Sequence, residues 1–400
     1  MQSPKLGRRA ALAGALAAAP LLGARAQADA VKIGVLTDES GPYADSGGPG
    51  SVVAAQMAVA DFGPSVLGKP IAIVHGDTQN KPDVAGALAR KWYDAEGVDA
   101  ITDLPVTPVA LAVQQAAKEK QRTVMITASA ISEFTSKFCS PYSSHWADDT
   151  HALTTGTAKQ VVAQGGKSWF FITVDFTFGK GLEAAAKAVI EANGGKVLGS
   201  AYFPIGNADF SSQLLEAQSS GADVVGLAAV GDDQVNAIKQ AHEFGLTKGG
   251  KQKLAGFLVY LTDIHALGLE TAQGLVLSTG FYWDQTEESR AFGKRFFEAR
   301  KAMPTKNQAA VYASTLHFLK AMAQAGTRDG LAVGKAMRAM PVSYFGHPAS
   351  MRGDGRVLYD IGLYRVKTPA ESKAAWDYYA AIGTIPAAEA FLPMTEACAV

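Results

Sequence analysis

From Val31 onward, short runs rich in β-branched residues alternate with stretches whose apolar positions recur every three or four residues, the pattern of parallel strands covered by helices. A first series predicts strands at VKIGVL from Val31, PIAIVH from Pro70, VDAIT from Val98 and RTVMIT from Arg122. The helices between them start near Gly50, Pro82 and Pro108, proline being well suited to a first helical turn. A second series follows at KSWFFIT from Lys167, GKVLGSAYF from Gly195, ADVVGLAA from Ala222 and KLAGFLVY from Lys253. Between these strands, Leu182, Ala186, Val189 and Ile190 share one helix face before Asn193-Gly194-Gly195, and Val235, Ile238 and His242 share another before Gly245. After a strand at GLVLSTG from Gly274, long helices are expected over Glu287 to Ala302, Gln308 to Ala325 and Asp329 to Met340. The alternation of Val357, Tyr359, Ile361, Leu363 and Arg365 in RVLYDIGLYRVK predicts a late edge strand. The fold class is therefore α/β: two doubly wound lobes with parallel-sheet cores, revisited by the chain and joined by several crossings that form a hinge.

The amino terminus reads differently. Lys5, Arg8 and Arg9 precede an apolar run from Ala10 to Leu22 and A-x-A patterns at Ala24–Ala26 and Ala26–Ala28, which predicts an export signal over 1–28 cleaved after Ala26 or Ala28. Its run of about 13 residues is shorter than the roughly 20 needed to span a bilayer. Arg8-Arg9 resembles a twin-arginine signal without the usual following residues, and ordinary export is favoured. Lysine plus arginine balance aspartate plus glutamate at 37 each, and removing Lys5, Arg8, Arg9 and Arg25 leaves the mature chain about four negative, with no basic face for nucleic acid. About 370 mature residues at 48% hydrophobic composition exceed one ordinary core and suit two domains. The two cysteines, Cys139 and Cys398, are expected to bridge in an oxidising compartment and pin the tail to the first lobe. The alternative is two unpaired thiols, one buried and one in a fraying tail.

Most chemistry is disfavoured by spacing. The glycine-rich stretch VLTDESGPYADSGGPGSVVAAQ, Val35 to Gln56, joins a strand to a helix, where backbone N–H groups attract anions. It lacks G-x-G-x-x-G, because Val53 follows Gly48-Pro49-Gly50, and its loop is too long for a dinucleotide turn. There is no phosphate-binding G-x-x-x-x-G-K-[ST] and no G-x-S-x-G elbow. Of the seven histidines, the closest pair, His145 and His151, misses the i, i+4 spacing of two ligands on one helix face, so neither a metal nor a cofactor is expected. His265 reads as a cap or packing residue. What remains is a cleft between loops at the carboxyl ends of parallel strands: SGPYADSG, DLPVTPVA and TASAISEFT from one lobe, VDFTFGKG, AVGDD and LVYLTD from the other.

The combination KIGVLTDESGPYADSG, AKEKQRTVMITASAISEFT, VDFTFGKGLEAAAKAVIEANGGKVLGS and DFSSQLLEAQSSGADVVGLAAVGDDQVNAIKQAHEFGL resembles the periplasmic solute-binding proteins of the branched-chain amino-acid (Leu/Ile/Val) type that serve ABC transporters. The resemblance covers nearly all the mature chain. It implies the type I periplasmic binding fold, with two lobes joined by three crossings and closing on a solute: 29–144 with 279–350, 145–278 with 351–385, and a tail, 386–400, returning to the first lobe. The site residues it implies are Tyr43 and Ser46 on the first loop, Val106 and Thr107 on the second, and Ser129, Ala130 and Ile131 on the third. Thr107 and Ser129 match the family's way of holding a carboxylate, with hydroxyl and backbone N–H groups, whereas Val106 and Ala130 depart from it. From the second lobe come Phe176, Phe178, where the family often has tyrosine, and Val230-Gly231, where it often has aromatics.

Amino-acid-binding members place an acid after the strand equivalent to KLAGFLVY, to pair the solute's ammonium. Here the positions read Gly256-Phe257-Leu258-Val259-Tyr260, with Tyr260 a candidate contact. Asp263 follows, either a helix cap or a ligand contact, and Asp175 is a second acid able to turn inward. The segments YLTDIHALGLETAQGL, FYWDQTEES and KTPAESKAAWDYY resemble a branch common in soil bacteria, some members of which take up aromatic or other organic acids. Tyr43, Phe176, Phe178, Tyr260, Tyr282 and Trp283 near the mouth suit a flat ring, although Trp283 suits lobe packing equally. The expected solute is thus a small carboxylate without an α-ammonium, with a branched-chain amino acid next. The expected partner is a membrane permease, and the protein is expected to be a periplasmic monomer without catalysis. A ligand sensor of the same fold and an exported enzyme are the competing classes.

Overall fold

The computed structural model describes residues 29–246 and 252–398, and the export segment expected over 1–28 lies outside the described residues. The chain enters at β1 (Val31–Thr37) and continues through α1 (Gly48–Phe62), β2 (Ser65–Val66), β3 (Lys69–Asp77), α2 (Pro82–Lys91), β4 (Val98–Asp103), α3 (Thr107–Lys120), β5 (Thr123–Ile126) and β6 (Ser143–His145). These strands make one sheet in the order β2-β3-β1-β4-β5-β6, parallel except for the β2–β3 edge pair. Strands β4 and β5 are buried along their whole length, which is why the sequence shows unbroken apolar runs there.

The chain then crosses to a second sheet through α4 (Thr150–Ala163), β7 (Ser168–Val174), α5 (Thr177–Ala192), β8 (Lys196–Phe203), α6 (Ser211–Ser219), β9 (Val224–Ala228), α7 (Asp232–Glu243), β10 (Lys253–Gly256), α8 (Leu261–Leu267), α9 (Leu269–Ala272) and β11 (Val276–Thr279). It returns through α10 (Glu287–Arg300), α11 (Lys306–Ala325) and α12 (Gly330–Ala339) to a small antiparallel sheet of β12 (Val342–Tyr344), β13 (His347–Met351) and β14 (Val357–Tyr359). It recrosses into β15 (Ile361–Val366) and β16 (Tyr379–Ile385), antiparallel edge strands that complete the order β16-β15-β11-β10-β9-β7-β8, and ends in α13 (Ala387–Ala390) and the tail. This is the expected type I architecture of two α/β lobes.

Two strands differ from their sequence patterns. KLAGFLVY pairs only over Lys253–Gly256, because Phe257 leaves the ladder to pack at 6.2 Å from Trp169 and 6.0 Å from Phe171. RVLYDIGLYRVK is two strands in two sheets, β14 and β15, parting at Asp360. Met351, Val357 and Tyr359 pack in one cluster with Val31, Ile33 and Phe318, so the chain stays with the first sheet nine residues beyond the 350/351 boundary expected from sequence.

Three crossings therefore join the lobes, after β6, after β11 and after β14, and one buried carboxylate touches all of them. Asp148, on the first crossing, accepts from the Gly280 amide of the second at 3.0 Å and from the Tyr359 hydroxyl of the third at 3.0 Å. Lys306 Nζ, also buried, lies 3.1 Å from its Oδ2. Beside it, the fully buried Arg356 donates to the Ala147 carbonyl at 2.7 Å and to His145 Nδ1 at 2.8 Å, and lies 3.7 Å from Asp149. Burial, and then the Arg356 charge, hold His145 neutral, so its Nε2–H donates to the Ser129 carbonyl at 2.8 Å.

The tail makes a further connection. Phe391 lies under the Arg356 guanidinium at 4.4 Å and edge-on to Tyr359 at 5.4 Å, and Cys398 is bonded to Cys139 across a sequence separation of 259. The tail thus runs from the second sheet back to the first lobe by a covalent bond. By the loop-closure model this bridge stabilises by at most about 5–6 kcal/mol. Cys139→Ser with Cys398→Ser is expected to lower the chemical-denaturation midpoint to the same value as reduction of the native protein, whereas an unchanged midpoint refutes a stabilising bridge. Asp148→Asn, which leaves Lys306 uncompensated, is expected to cost about 3–5 kcal/mol, part of it recovered when Lys306→Met is added. Strictly additive losses in a double-mutant cycle contradict the coupling.

Candidate functional site

The carboxyl ends of the two parallel sheets face each other across a cavity with about 410 Å³ of unfilled space, counting its open mouth. From the first sheet, the loop after β1 brings Tyr43 and Ser46, the loop after β4 brings Pro105, Val106 and Thr107, and the loop after β5 brings Ala128, Ser129 and Ala130. From the second, Phe176 and Phe178 follow β7, Val230 follows β9, and Leu258 and Tyr260 follow β10. Asn307, in the first turn of α11, completes the wall.

The loops are held by their own chemistry. Asp38 accepts from the Gly41 amide at 2.7 Å, the Tyr43 amide at 2.9 Å and Asn80 Nδ2 at 2.8 Å, folding the first loop over itself. The start of α11 then grips that loop: Thr305 Oγ1 donates to the Ser46 carbonyl at 2.6 Å and Gln308 Nε2 to the Gly47 carbonyl at 3.0 Å. A Cβ on Gly50 would sit 2.1 Å from Gln308 Nε2, so this glycine serves helix packing and not a phosphate. At the end of β4, Asp103 and Leu104 both hold left-handed backbone, φ 80 and 70, an unusual pair for non-glycine residues at a site loop. The turn aims the Leu104 carbonyl at Ser129, whose amide and hydroxyl both donate to it, at 3.1 and 2.9 Å. Burial pushes the Asp103 carboxyl up to about 6, opposed by the Thr37 and Ser51 hydroxyls beside it.

Among the described residues, no charged side chain lines the cavity. It is instead ringed by helix starts. Val106, Phe176 and Gly231 are the N-cap positions of α3, α5 and α7, and none of the three caps its helix with a side chain. Those ends carry unmatched N–H groups and partial positive charge, offset at α7 by Asp232 and Asp233 in its first turn. Among the described residues the Thr107 hydroxyl and the Ala130 amide make no hydrogen bond to the protein, and the Tyr43 hydroxyl makes none either, so these are uncommitted donors of the first lobe. Burial, with help from Asp233 and Asp38, pushes the Tyr43 phenol up to about 12, and burial raises Tyr260 as well, so both remain protonated.

Of the residues expected from sequence, Tyr43, Ser46, Val106, Thr107, Ser129, Ala130, Phe176, Phe178, Val230 and Tyr260 come together on this wall. Three do not. Ile131 turns into the apolar cluster with Phe134 and Val109. Gly231 lies behind the wall with φ +63, where a Cβ would meet the Pro42 carbonyl and the Tyr43 ring at 3.3 Å, so it lets the two lobes approach. Asp263 closes a capping box on α8, accepting from the Tyr260 amide at 2.8 Å, and burial pushes its carboxyl up to about 7. Asp175 is exposed and paired with Lys180 at 2.6 Å. Tyr282 and Trp283 leave the mouth to donate to the Trp376 carbonyl, at 3.2 and 2.8 Å. His265 stacks on Trp376 at 3.9 Å. Asn307 was not expected, because it follows no parallel strand; its one signal is a pair of amides, with Gln308, in the first turn of a helix.

The profile of the family described as periplasmic binding protein matches residues 30–374. A Leu/Ile/Val-binding protein homolog 6 from Brucella melitensis is 30% identical over 292 residues, 72% of this chain and 73% of that one. Among solved structures, a periplasmic binding protein from Burkholderia mallei is 47% identical with a TM-score of 0.89, covering 93% of this chain and 99% of that one. A branched chain amino acid ABC transporter periplasmic ligand-binding protein from Burkholderia xenovorans LB400 is 38% identical with a TM-score of 0.83, covering 91% and 97%. Among the described residues, no helix is long and apolar enough to cross a membrane. The chain belongs to the periplasmic binding protein family, as a solute-binding protein of ABC transporters.

Proposed function

We propose that this protein captures a small carboxylate without an α-ammonium, an aromatic or apolar organic acid, between its two lobes and delivers it to a membrane permease without transforming it. The observation that carries the reading is the cavity's electrostatic make-up: uncapped starts of α3 and α5 beside apolar walls on which no described residue is charged. An anion is stabilised there, with Thr107 and the Ala130 amide as its donors. A desolvated ammonium meets no carboxylate on the wall itself, since Asp263 is committed to its helix cap and Asp175 to Lys180, while Asp232 and Asp233 of α7 act on Tyr43 from outside the wall. Phe176, Phe178, Val106 and Leu258 offer surface to a ring or a branched chain. A branched-chain amino acid is the second reading, favoured by the name of the 38% identical Burkholderia relative.

A thermal-shift panel separates the two. Benzoates, cinnamates and short organic acids are expected to raise the melting temperature, a ligand at a hundred times its Kd adding about 2.7 kcal/mol, while leucine, isoleucine and valine do not. The opposite result favours the second reading and defeats the first. Asp263 gives a separate check. Its folded value of about 7 lies above the ordinary 3.8, so the stability it contributes is full below about pH 4 and is lost as pH rises through about 7. Asp263→Asn keeps an acceptor for the Tyr260 amide and removes that loss, so the variant's stability relative to wild type is expected to rise between about pH 5 and pH 8. A constant difference across that range contradicts a protonated cap.

A further inference from the structure

The polar end of the cavity supports a finer statement about the solute, one that rests on the carboxylate reading above. Tyr260 and Asn307 come from opposite lobes, one at the end of β10 and the other in the first turn of α11, and meet on the cavity wall. Asn307 Nδ2 donates to the Tyr260 hydroxyl oxygen at 3.1 Å. This contact leaves three capacities over, one of them the second hydrogen of Asn307 Nδ2, which meets no other protein acceptor among the described residues. The phenol has accepted a hydrogen bond but still carries its own hydrogen, which has no protein acceptor among the described residues. The Asn307 side-chain oxygen likewise receives no hydrogen bond from the protein among the described residues.

Both residues are almost fully buried and line the cavity, so an occupant there is placed to take up the groups left over. Tyr260 also lies between this cavity and a smaller gap lined by Lys306 and Thr279, which identifies the pair with the hinge end of the site. Thr107 and the Ala130 amide belong to the loops of the first sheet.

Donors beside an acceptor discriminate among ligand groups by their inventories. A carboxylate only accepts, and while it can take the phenol and amide hydrogens it would leave the Asn307 oxygen unpaired. An ammonium only donates, and would leave the phenol hydrogen unused. A methyl group satisfies neither. A hydroxyl has one hydrogen to give and lone pairs to receive, and satisfies both. We infer that Tyr260 and Asn307 form a hydroxyl-reading subsite, and that the solute is a hydroxylated acid whose carboxylate and hydroxyl lie at opposite ends of an apolar or aromatic body.

The test compares acids of matched shape. Kd values are measured by titration calorimetry for 4-hydroxybenzoate against 4-methylbenzoate, 3-hydroxybenzoate against 3-methylbenzoate, and 4-hydroxycinnamate against 4-methylcinnamate. At least one hydroxy acid is expected to bind tenfold or more tightly than its methyl partner, because a site built to bond a hydroxyl rejects the analogue that leaves it unpaired. In Asn307→Leu and in Tyr260→Phe, that ratio is expected to fall toward one; the ratio is the readout, since a general structural defect weakens both members of a pair alike. Equal affinities within every pair of the native protein, or a ratio that survives both substitutions, overturn the subsite while leaving the carboxylate reading intact. Binding of branched-chain amino acids with no binding of any acid in the set overturns both.

Discussion

A charge removed from water must be matched inside the protein, and at Asp148 the matching groups come from every segment that passes between the lobes. Its amide partner is on the second crossing, its hydroxyl partner on the third and its cation at the head of α11. Isolated, such a carboxylate would be untenable in this environment. Its presence therefore requires that the three segments, the second and third lying 132 and 211 residues beyond the first, meet in one arrangement. The lobes' relative placement is a consequence of that meeting, and so is the cavity they enclose.

The same region also fixes the walls of the site. Lys306 and Asn307 are neighbours in one helical turn, one facing Asp148 and the other the cavity, while Gln308 and Thr305 hold the loop that carries Tyr43 and Ser46. His145, kept neutral by burial and Arg356, supports the Ser129 carbonyl. Hinge and binding wall are thus built from adjacent residues, so that a change of lobe angle moves the groups that would touch a solute. Ligand contacts made only in the closed arrangement bias that angle in return.

Much of this was legible in the sequence because parallel strands are buried on both faces and announce themselves as apolar runs. The loops that follow them, and ten of the thirteen residues expected on the wall, came from that regularity together with the family resemblance. What failed has a common cause, since strand periodicity describes side-chain alternation and not partnership. RVLYDIGLYRVK alternates without interruption, yet its halves find partners in different sheets. KLAGFLVY loses its second half because Phe257 gains more from the Trp169–Phe171 stack than a ladder position provides. Asn307 was invisible for a related reason: it reaches the cavity through the fold's return path, which no local pattern encodes. Asp263, by contrast, has a local role as a cap, and its position three residues after Tyr260 was the clue to it.

The bond between Cys139 and Cys398 changes the molecule's connectivity as well as its stability. With it, the whole second sheet lies inside a covalent ring, entered at Cys139 and closed at Cys398. A linear two-lobed chain cut once within the second lobe becomes two polypeptides held only by packing. In this protein a single peptide-bond cleavage anywhere between the two cysteines merely opens the ring, and both new ends remain attached to the first lobe. Outside the cell membrane, where proteases act and no synthesis replaces a damaged chain in place, a receptor built in this way survives its first cut as one molecule.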